Sequence, residues 1–373
     1  MINVCILGAT GSIGKQAIEV INSLKDYQVV SVSCNKNVDK LLTNLPTQVK
    51  DIAITGEVNV NSFNIPPHIK IYKGEKSLEK IISKEYVDIV INAISGYAGL
   101  DATILAIRNH KRLLLANKES LVMAGDIVNK ELFNNAGVLI PIDSEHSALR
   151  ECLIGKRQDE VDFVTITASG GALRDKSRDE LDSVTLSEVL LHPTWEMGAK
   201  ITIDSATMVN KGFEVIEAHH LFHLPYEKIG TIIHKESYVH AFASFSDGLK
   251  LMVKSAPDMK MPIKYALTGE SEVEPILVTK ENLDGLTFEE MDFDRFPMLA
   301  LAYEVGSIGG ILPAVYCISN DCAVKLFMEG KIKFLEIEEI ITREVNYYYK
   351  HNIINPTLDD IKKLISEITH KLM

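Results

Sequence analysis

Two carboxylates and a histidine fall within four positions of the segment PIDSEHSA, residues 141–148. Asp143 and Glu145 are spaced i, i+2 directly after the apolar run GVLI, so both side chains can project to one side of an extended segment. Carboxylate oxygens without a nearby cysteine favour Mg²⁺ or Mn²⁺ over zinc. Two ligands are too few to define a metal site, and a solvated acidic turn is the alternative. His146 by itself is more typical of a packed or capping histidine than of a ligand.

A third carboxylate is available in residues 191–222, the densest polar stretch of the chain. This stretch is predicted to begin as a loop and to end as a helix. Within that helix, Asn210 and Glu214 are spaced i, i+4 and share a face, with Lys211 beside them. Spacing alone does not choose between Glu214 and Glu217 as a ligand.

The loop at the start of that stretch, LHPTWEMGAK, contains Trp195, the only tryptophan of the chain. Its proline and glycine argue against a buried element, and a large aromatic ring is suited to covering a substrate, so we interpret the loop as a lid. Asp204 or Ser205 is predicted to cap the helix that follows.

A separate segment, TASGGALRD, is suited to binding phosphate. Ser169 and two glycines follow the predicted strand VDFVTITA, which makes a hydroxyl and exposed amides available to an anion. An ordinary turn of serine and glycine is the alternative.

The motif GATGSIGK places Gly8, Gly11 and Gly14 between the first predicted strand and a helix that starts near Ser12. Glycines at such positions let the backbone turn tightly, approach a pyrophosphate and pack the helix on the sheet. The spacing is GxxGxxG and not the stricter GxGxxG, so a plain strand–helix turn is the alternative.

The end of the second predicted strand, SVSCNKN, indicates which dinucleotide would bind. An NAD site usually has an acidic residue there, whereas this chain has Asn35, Lys36 and Asn37. A cation and amides suit a ribose 2′-phosphate, so NADPH is preferred. An isolated surface lysine is the alternative.

The motif LLLANKESLV supplies a further polar group at the end of a predicted strand. Asn117, Lys118 and Glu119 follow the strand RLLLA and open a helix, which places them at the carboxyl edge of the sheet, where open α/β sheets bind ligands. A capped helix start is the alternative.

The elements that must position these residues change in character along the chain. Up to residue 143, apolar β-type runs alternate with helical patterns, which predicts an α/β fold with an N-terminal Rossmann-like parallel sheet. Residues 144–269 are predicted to form a central α+β catalytic domain in which the later strands pair antiparallel. Residues 270–294 are acidic without a long period and are predicted to connect this domain to a C-terminal helical bundle, residues 295–373.

Composition excludes several classes of function. The formal net charge of −12 argues against a general nucleic-acid binder, and no apolar stretch approaches the ~20 residues needed to span a membrane. The five cysteines form no CxxC pair, which favours reduced thiols in a cytosol. The start MINVCILGATGSIG enters a strand at once, so we expect no signal or transit peptide.

Taken together, the segments GATGSIG, LLANKESLV, PIDSEHSA, TASGGALRD, HPTWEMGAKITIDSATMVNKGFE and the C-terminal helices resemble the 1-deoxy-D-xylulose 5-phosphate reductoisomerase family. The resemblance runs in order through essentially the whole chain. It implies a cytoplasmic homodimer that uses NADPH and one divalent metal (Mg²⁺, Mn²⁺ or Co²⁺) in non-mevalonate isoprenoid synthesis. The substrate, 1-deoxy-D-xylulose 5-phosphate, is rearranged to a branched aldehyde and then reduced to 2-C-methyl-D-erythritol 4-phosphate.

The resemblance also implies roles for individual residues and places the metal site, the lid and the dimer interface in the central domain. The implied metal ligands are Asp143, Glu145 and Glu214, with Lys118 near the reacting carbons. The implied substrate contacts are Lys118, Ser144, Glu145, Ser169, His192, Ser205, Asn210, Lys211 and Glu214. The implied NADPH contacts are Thr10, Gly11, Ser12, Ile13, Asn35, Lys36, Asn37, Asn117, Glu119 and Gly198.

Two stretches depart from the family pattern. AGKN is replaced by CNKN at residues 34–37, and NAANE is replaced by CISND, so the resemblance assigns no role to Asn320 and Asp321. Two other functions remain as alternatives. A homoserine-dehydrogenase-like enzyme would leave the three carboxylates without a role, and a non-enzymatic NADPH-binding regulator would need neither the carboxylates nor the lid.

The first prediction concerns cofactor preference. Lys36→Asp should narrow or reverse the preference for NADPH over NADH, because a carboxylate repels the 2′-phosphate and can accept a hydrogen bond from a free 2′-hydroxyl. The measurement is kcat/KM with each cofactor for the parent and the variant. An unchanged ratio would show that Lys36 does not discriminate between the cofactors.

Overall fold

The computed structural model describes residues 1–373, which form two compact units. Unit 1 comprises residues 1–120, 128–143 and 259–272, and unit 2 comprises residues 121–127, 144–258 and 273–373. The chain therefore enters unit 2 briefly at residues 121–127 and again after Asp143, returns to unit 1 at residues 259–272 and ends in unit 2. The four-part division given above remains a prediction.

Thirteen strands form two sheets. They are β1 (Ile2–Leu7), β2 (Tyr27–Cys34), β3 (Asp51–Ile54), β4 (Lys70–Lys73), β5 (Ile89–Asn92), β6 (Arg112–Leu115), β7 (Leu139–Pro141), β8 (Val161–Ala168), β9 (Ile229–Ile233), β10 (Val239–Phe245), β11 (Lys250–Lys254), β12 (Ile276–Leu277) and β13 (Glu289–Glu290).

Fifteen α-helices complete the regular structure. They are α1 (Ser12–Ser23), α2 (Val38–Thr43), α3 (Ser77–Ile82), α4 (Leu100–Arg108), α5 (Glu119–Asn134), α6 (Ser144–Cys152), α7 (Leu186–Val189), α8 (Ala199–Ala206), α9 (Val209–Phe222), α10 (Lys260–Thr268), α11 (Lys280–Leu283), α12 (Pro297–Ile308), α13 (Leu312–Met328), α14 (Phe334–Tyr349) and α15 (Leu358–Leu372).

The sheet of unit 1 has seven parallel strands in the order β4-β3-β2-β1-β5-β6-β7. Its central strands are apolar and buried, as expected for a parallel sheet covered on both faces. The direction of strand addition reverses between β1 and β5, which is the kind of switch point where open α/β sheets bind ligands. This confirms the predicted parallel sheet. The edge strand β4 was not predicted, because it is short and only partly buried.

The sheet of unit 2 has six strands in the order β12-β11-β10-β8-β9-β13. β10 pairs antiparallel with β11 and with β8, whereas β8 and β9 are parallel, so the sheet is mixed. This confirms the predicted antiparallel pairing of the later strands. The predicted C-terminal bundle is also present as α12 to α15, and the segment at residues 270–294 contributes two short edge strands and one helical turn.

Side-chain hydrogen bonds attach residues 259–272 to the rest of unit 1. The Tyr27 hydroxyl donates to the carbonyl of Leu267 at 3.0 Å, and the Arg112 guanidinium donates to the carbonyl of Ala266 at 2.7 Å. These bonds bind the carbonyls near the C-terminal end of α10, which a helix leaves without internal partners.

Two local expectations in unit 2 were wrong. Asp204 and Ser205 do not cap α9, because they lie inside the separate helix α8. The chain turns between the helices at Met208, whose φ of 62° is left-handed and breaks the helical path. Glu145 does not lie on an extended segment either, because α6 begins at Ser144 and places Glu145 in its first turn.

No helix combines the length and the apolar character that crossing a membrane requires.

A largely buried histidine, His220, lies near the end of α9 in unit 2. The His220 ring fills the space that Gly125 leaves open, since a Cβ on that glycine would lie 2.2 Å from the ring. Burial, and secondarily the charge of neighbouring His219, lower the pKa of His220 to about 4, although the charge of Asp126 opposes this shift. The folded state therefore holds this ring neutral at pH values where an unfolded chain would bind a proton.

The second prediction follows from this difference. The unfolded state binds the extra proton between about pH 6.5 and about pH 4, so the free energy of unfolding should fall as the pH is lowered through that window. His220→Gln should reduce this slope in chemical denaturation followed from pH 7 to pH 4. The exposed His68 provides a matched control, His68→Gln. Equal slopes for all three proteins would contradict the assignment.

Candidate active site

The glycine motif of unit 1 lies at the switch point of the sheet. Gly8 follows β1 with a φ of 78°, and a Cβ there would lie 2.4 Å from the carbonyl oxygen of Ala93, which follows β5. A Cβ on Gly14 would lie 2.4 Å from the carbonyl oxygen of Gly8, so glycine lets α1 pack closely on the turn. Gly11 precedes α1 as its N-cap, which leaves amides of the first helical turn available to an anion.

The segment after β2 lies at the same edge of the sheet. The amide of Gly8 donates to the Ser33 hydroxyl at 3.0 Å and thereby joins the glycine turn to the end of β2. Asn35, Lys36 and Asn37 follow β2 directly and are all exposed. A Cβ on Gly56, which follows β3, would lie 2.2 Å from the Asn35 side-chain oxygen, so the end of β3 supports this segment closely.

Asn117 and Glu119 are buried and organise the loop after β5. The Asn117 amide nitrogen donates to the carbonyls of Ile94 and Gly96 at 2.7 and 2.8 Å. Glu119 accepts from the amide of Gly96 at 3.0 Å and from Asn117 at 3.0 Å. These two residues therefore hold the loop that follows β5 in shape.

Lys118 and Asp143 meet at the carboxyl ends of neighbouring strands in unit 1. Lys118 follows β6 and Asp143 follows β7, and their side chains form an ion pair that is largely buried. Parallel strands place their carboxyl ends at one edge, which is why residues so far apart in the sequence come together.

Unit 2 brings a second group of predicted residues together around Lys211. Its Nζ lies 2.6 Å from the Glu145 carboxylate and forms a shorter ion pair with Glu214. Carboxylate oxygens of Glu145 and Glu214 lie within 4.8 Å of each other. Asn210 donates to the Glu214 carboxylate, and the Ser144 hydroxyl donates to Glu145. The predicted i, i+4 pair on α9 is therefore present.

The Lys211 side chain is almost completely buried, and burial alone would lower its pKa. The charges of Glu145 and Glu214 outweigh that effect and raise the pKa above its ordinary value, so the ammonium stays protonated. The cluster therefore consists of two anions held by one cation, with only oxygen donors among the anions.

Glu217 faces a different partner. Its carboxylate lies 3.3 Å from His146 Nδ1, and both side chains are buried. His146 Nε2 donates to the backbone carbonyl of Glu214 at 2.9 Å. The side chains of Glu214 and Glu217, which spacing did not distinguish, therefore have different partners in unit 2. His146 contacts the Glu217 side chain and the Glu214 backbone.

The loop after β8 and the segment predicted to be a lid meet at Ser169 and His192. His192 Nδ1 accepts from the amides of Thr194 and Trp195 at 3.1 and 2.9 Å, so the ring hydrogen is on Nε2 and donates to the Ser169 hydroxyl at 3.0 Å. Burial, and secondarily the charge of Arg174, lower the pKa of His192 to about 4. The ring is therefore neutral at physiological pH, and the Ser169 hydroxyl keeps its own hydrogen for a ligand.

Helix α8 lies against the same loop. Gly171 has a φ of 75°, and a Cβ there would lie 2.6 Å from the carbonyl oxygen of Ser205. Glycine thus lets the Ser169 loop contact the backbone next to the Ser205 side chain. Gly198 is the exposed N-cap of α8.

Sequence reasoning missed two features of this region. Arg174 donates to the carbonyls of Ser169 and Lys235 at 3.0 and 3.2 Å and fixes the shape of the loop. Its position after two glycines carried no signal. Lys200 and Asp204 form an i, i+4 ion pair at 2.7 Å on α8, a spacing that the sequence did display.

Family models cover most of the chain. The model described as 1-deoxy-D-xylulose 5-phosphate reductoisomerase matches residues 4–125. The model of its C-terminal domain matches residues 139–222, and a further model described as DXP reductoisomerase C-terminal domain matches residues 255–370.

Curated relatives and solved structures agree with these matches. The reductoisomerase of Bacillus subtilis (strain 168) is 43% identical over 98% of this chain and 97% of its own length, and that of Clostridium tetani is 42% identical over 94% and 93%. A crystal structure of DOX-P reductoisomerase in complex with NADPH, fosmidomycin and magnesium has a TM-score of 0.88 at 33% identity, covering 100% of this chain and 97% of that one. The Zymomonas mobilis enzyme in complex with NADPH has a TM-score of 0.86 at 36% identity, covering 100% and 98%. The chain belongs to the 1-deoxy-D-xylulose 5-phosphate reductoisomerase family.

Proposed function

We propose that this protein converts 1-deoxy-D-xylulose 5-phosphate to 2-C-methyl-D-erythritol 4-phosphate with NADPH and a divalent metal ion. Family membership over nearly the whole chain supports the reaction. The observation in the structure that carries the proposal is the largely buried cluster of Glu145, Lys211 and Glu214, because it brings two carboxylates close enough together to bind one divalent ion.

Asp143, Glu145 and Glu214 would hold the metal ion. All three donors are carboxylates, a set that suits Mg²⁺, Mn²⁺ or Co²⁺. The chain itself keeps Asp143 close to Glu145, since only Ser144 separates them. Glu217 is a weaker candidate than Glu214 for the third metal ligand, because the Glu217 carboxylate already contacts His146.

The residues of the chain bind and orient the substrate in this proposal. When bound, the cation supplies Lewis-acid polarisation of the substrate oxygens, and NADPH supplies the hydride. Lys118, which is held in place by Asp143, can donate hydrogen bonds to a substrate hydroxyl or carbonyl near the reacting carbons. Trp195 and the lid would exclude water from the site.

The substrate phosphate would be bound mainly in unit 2. Neutral His192 leaves the Ser169 hydroxyl free to donate to a phosphate oxygen, and Arg174 holds that loop in shape. The full set of proposed substrate contacts is Lys118, Ser144, Glu145, Ser169, His192, Ser205, Asn210, Lys211 and Glu214. Binding energy from a phosphate remote from the reacting bonds can orient the substrate.

NADPH would bind along the carboxyl edge of the parallel sheet. Exposed amides at the start of α1 suit the pyrophosphate, and Lys36 suits the 2′-phosphate. The full set of proposed cofactor contacts is Thr10, Gly11, Ser12, Ile13, Asn35, Lys36, Asn37, Asn117, Glu119 and Gly198. Of these, Asn117 and Glu119 would act mainly by holding the loop after β5 in shape.

We also propose that the enzyme is a cytoplasmic homodimer, as the family resemblance implies. Its mass is 41.5 kDa per chain, so sedimentation at micromolar concentration distinguishes the monomer from the dimer.

The third prediction tests the reaction and its metal requirement. NADPH oxidation should depend on 1-deoxy-D-xylulose 5-phosphate, should stop after chelation by EDTA and should recover with Mg²⁺, Mn²⁺ or Co²⁺. Asp143→Asn should fold normally yet lose most activity, because it removes one anionic ligand and preserves the side-chain shape. Full turnover by metal-stripped protein would refute the metal assignment. NADPH oxidation only with an aldehyde whose reduction gives a homoserine-type alcohol would favour the dehydrogenase alternative.

The fourth prediction concerns the lid. Trp195 is partly exposed, and its ring centroid lies 6.2 Å from that of His240. Because it is the only tryptophan, its emission reports on one place. Adding fosmidomycin to the metal-loaded, NADPH-free protein should change the intensity or the emission maximum. Emission that is blue-shifted in the free protein and unmoved by saturating ligand would exclude the lid.

A further inference from the structure

Four polar side chains of unit 2 join α8 to α13. Lys200 Nζ lies 2.7 Å from the Asp204 carboxylate on its own helix and 2.9 Å from the Asp321 carboxylate on α13. Asn320, also on α13, donates to Asp204 at 2.8 Å. Asp204 is 2% exposed and Asn320 is completely buried. These four residues are called the α8–α13 network below.

Packing alone does not require such a network. Burying carboxylates and an amide costs free energy that apolar side chains of similar size would not cost. Polar groups differ from apolar ones in requiring defined partners, so a network of this kind fixes one orientation of a short helix. Lys200 adds a further restraint, since its ammonium lies 5.5 Å from the ring centroid of Phe213 on α9.

The helix that is fixed in this way carries Ser205. Asp204 precedes Ser205 directly, so the hydrogen bonds of Asp204 set the rotation of α8 and therefore the direction of the neighbouring hydroxyl. The backbone of Ser205 is also in close contact with Gly171 of the Ser169 loop. Gly198, which belongs to the segment interpreted as a lid, is the N-cap residue of the same helix. Helix α8 thus connects α13, through the α8–α13 network, with the elements proposed to bind phosphate.

We propose that Asn320 and Asp321 are positioning residues for the substrate phosphate. Acting through Asp204 and Lys200, they hold α8 so that Ser205 and the end of the lid meet the phosphate. This inference rests on the proposed function, because it assumes that Ser205 binds the substrate. It assigns a role to the part of the chain where the sequence departs from the family pattern.

The test separates positioning from stability by its kinetic signature. Asp321→Asn keeps the side-chain shape and removes the charge that holds Lys200, and Asn320→Ala removes the donor to Asp204. Each should raise the KM for 1-deoxy-D-xylulose 5-phosphate roughly tenfold, the scale of one lost charge-assisted hydrogen bond, with kcat within about threefold of the parent. The KM for NADPH should not change, and Asp321→Glu should restore part of the substrate affinity.

Glu344→Gln is the matched control. Glu344 is completely buried on α14 and pairs with the partly exposed Lys371 of α15 at 2.6 Å, so the variant also loses an ion pair to a buried carboxylate within the C-terminal helices. It should lower Tm without changing the KM for the substrate. Fosmidomycin affinity, measured by Trp195 emission, gives a second readout that does not depend on turnover and should weaken only in the α13 variants.

Two results would overturn the positioning role. One is a fall in Tm for Asp321→Asn or Asn320→Ala with unchanged substrate KM and unchanged fosmidomycin affinity. The other is an equal rise in KM for Glu344→Gln. The wild-type protein is assayed first. Absence of turnover by the wild-type protein would overturn the proposed function together with the positioning role. Normal wild-type turnover combined with either result above would overturn the positioning role alone.

Discussion

The balance of charge around Lys211 is the constraint on which the site in unit 2 depends. Two carboxylates within 4.8 Å of each other and largely out of water repel strongly unless a cation lies between them. The Lys211 ammonium supplies that charge and joins α6, which carries Glu145, to α9, which carries Glu214. If either carboxylate were removed, the buried Lys211 ammonium would be paired with only one anion instead of two. The same excess of anionic oxygen is what makes this place suitable for a divalent ion.

Much of the remaining candidate site is held in shape by hydrogen bonds within the protein itself. Backbone amides of the lid fix His192 as a neutral ring, and Asn117 fixes the loop after β5. In a site of this kind the entropy cost of ordering the side chains is met during folding, so less ordering is needed when a substrate binds. The segment predicted to be a lid differs, since its backbone has few such bonds beyond those to His192, and a weakly bonded segment suits the predicted role.

The sequence predicted the sheets well and the connections less well. Long apolar runs such as those of β1 and β10 are buried on at least one face, so composition and period identify them. β4 was missed because an edge strand of four residues buries too little to leave a pattern. The break between α8 and α9 was missed because it results from one left-handed residue, Met208, which is not a type that usually adopts that conformation.

For the site, the sequence by itself determined which chemical groups are present and which lie on one element. The glycine turn, the asparagines and lysine after β2, and the i, i+4 pair of Asn210 and Glu214 depend only on local spacing. Only the tertiary structure decided which carboxylate of α9 faces Glu145. Glu214 and Glu217 are three residues apart and lie on nearly the same helical face, so neither period nor propensity distinguishes them. Their partners come from another helix, α6, and a distance between elements cannot be read from the spacing within one of them.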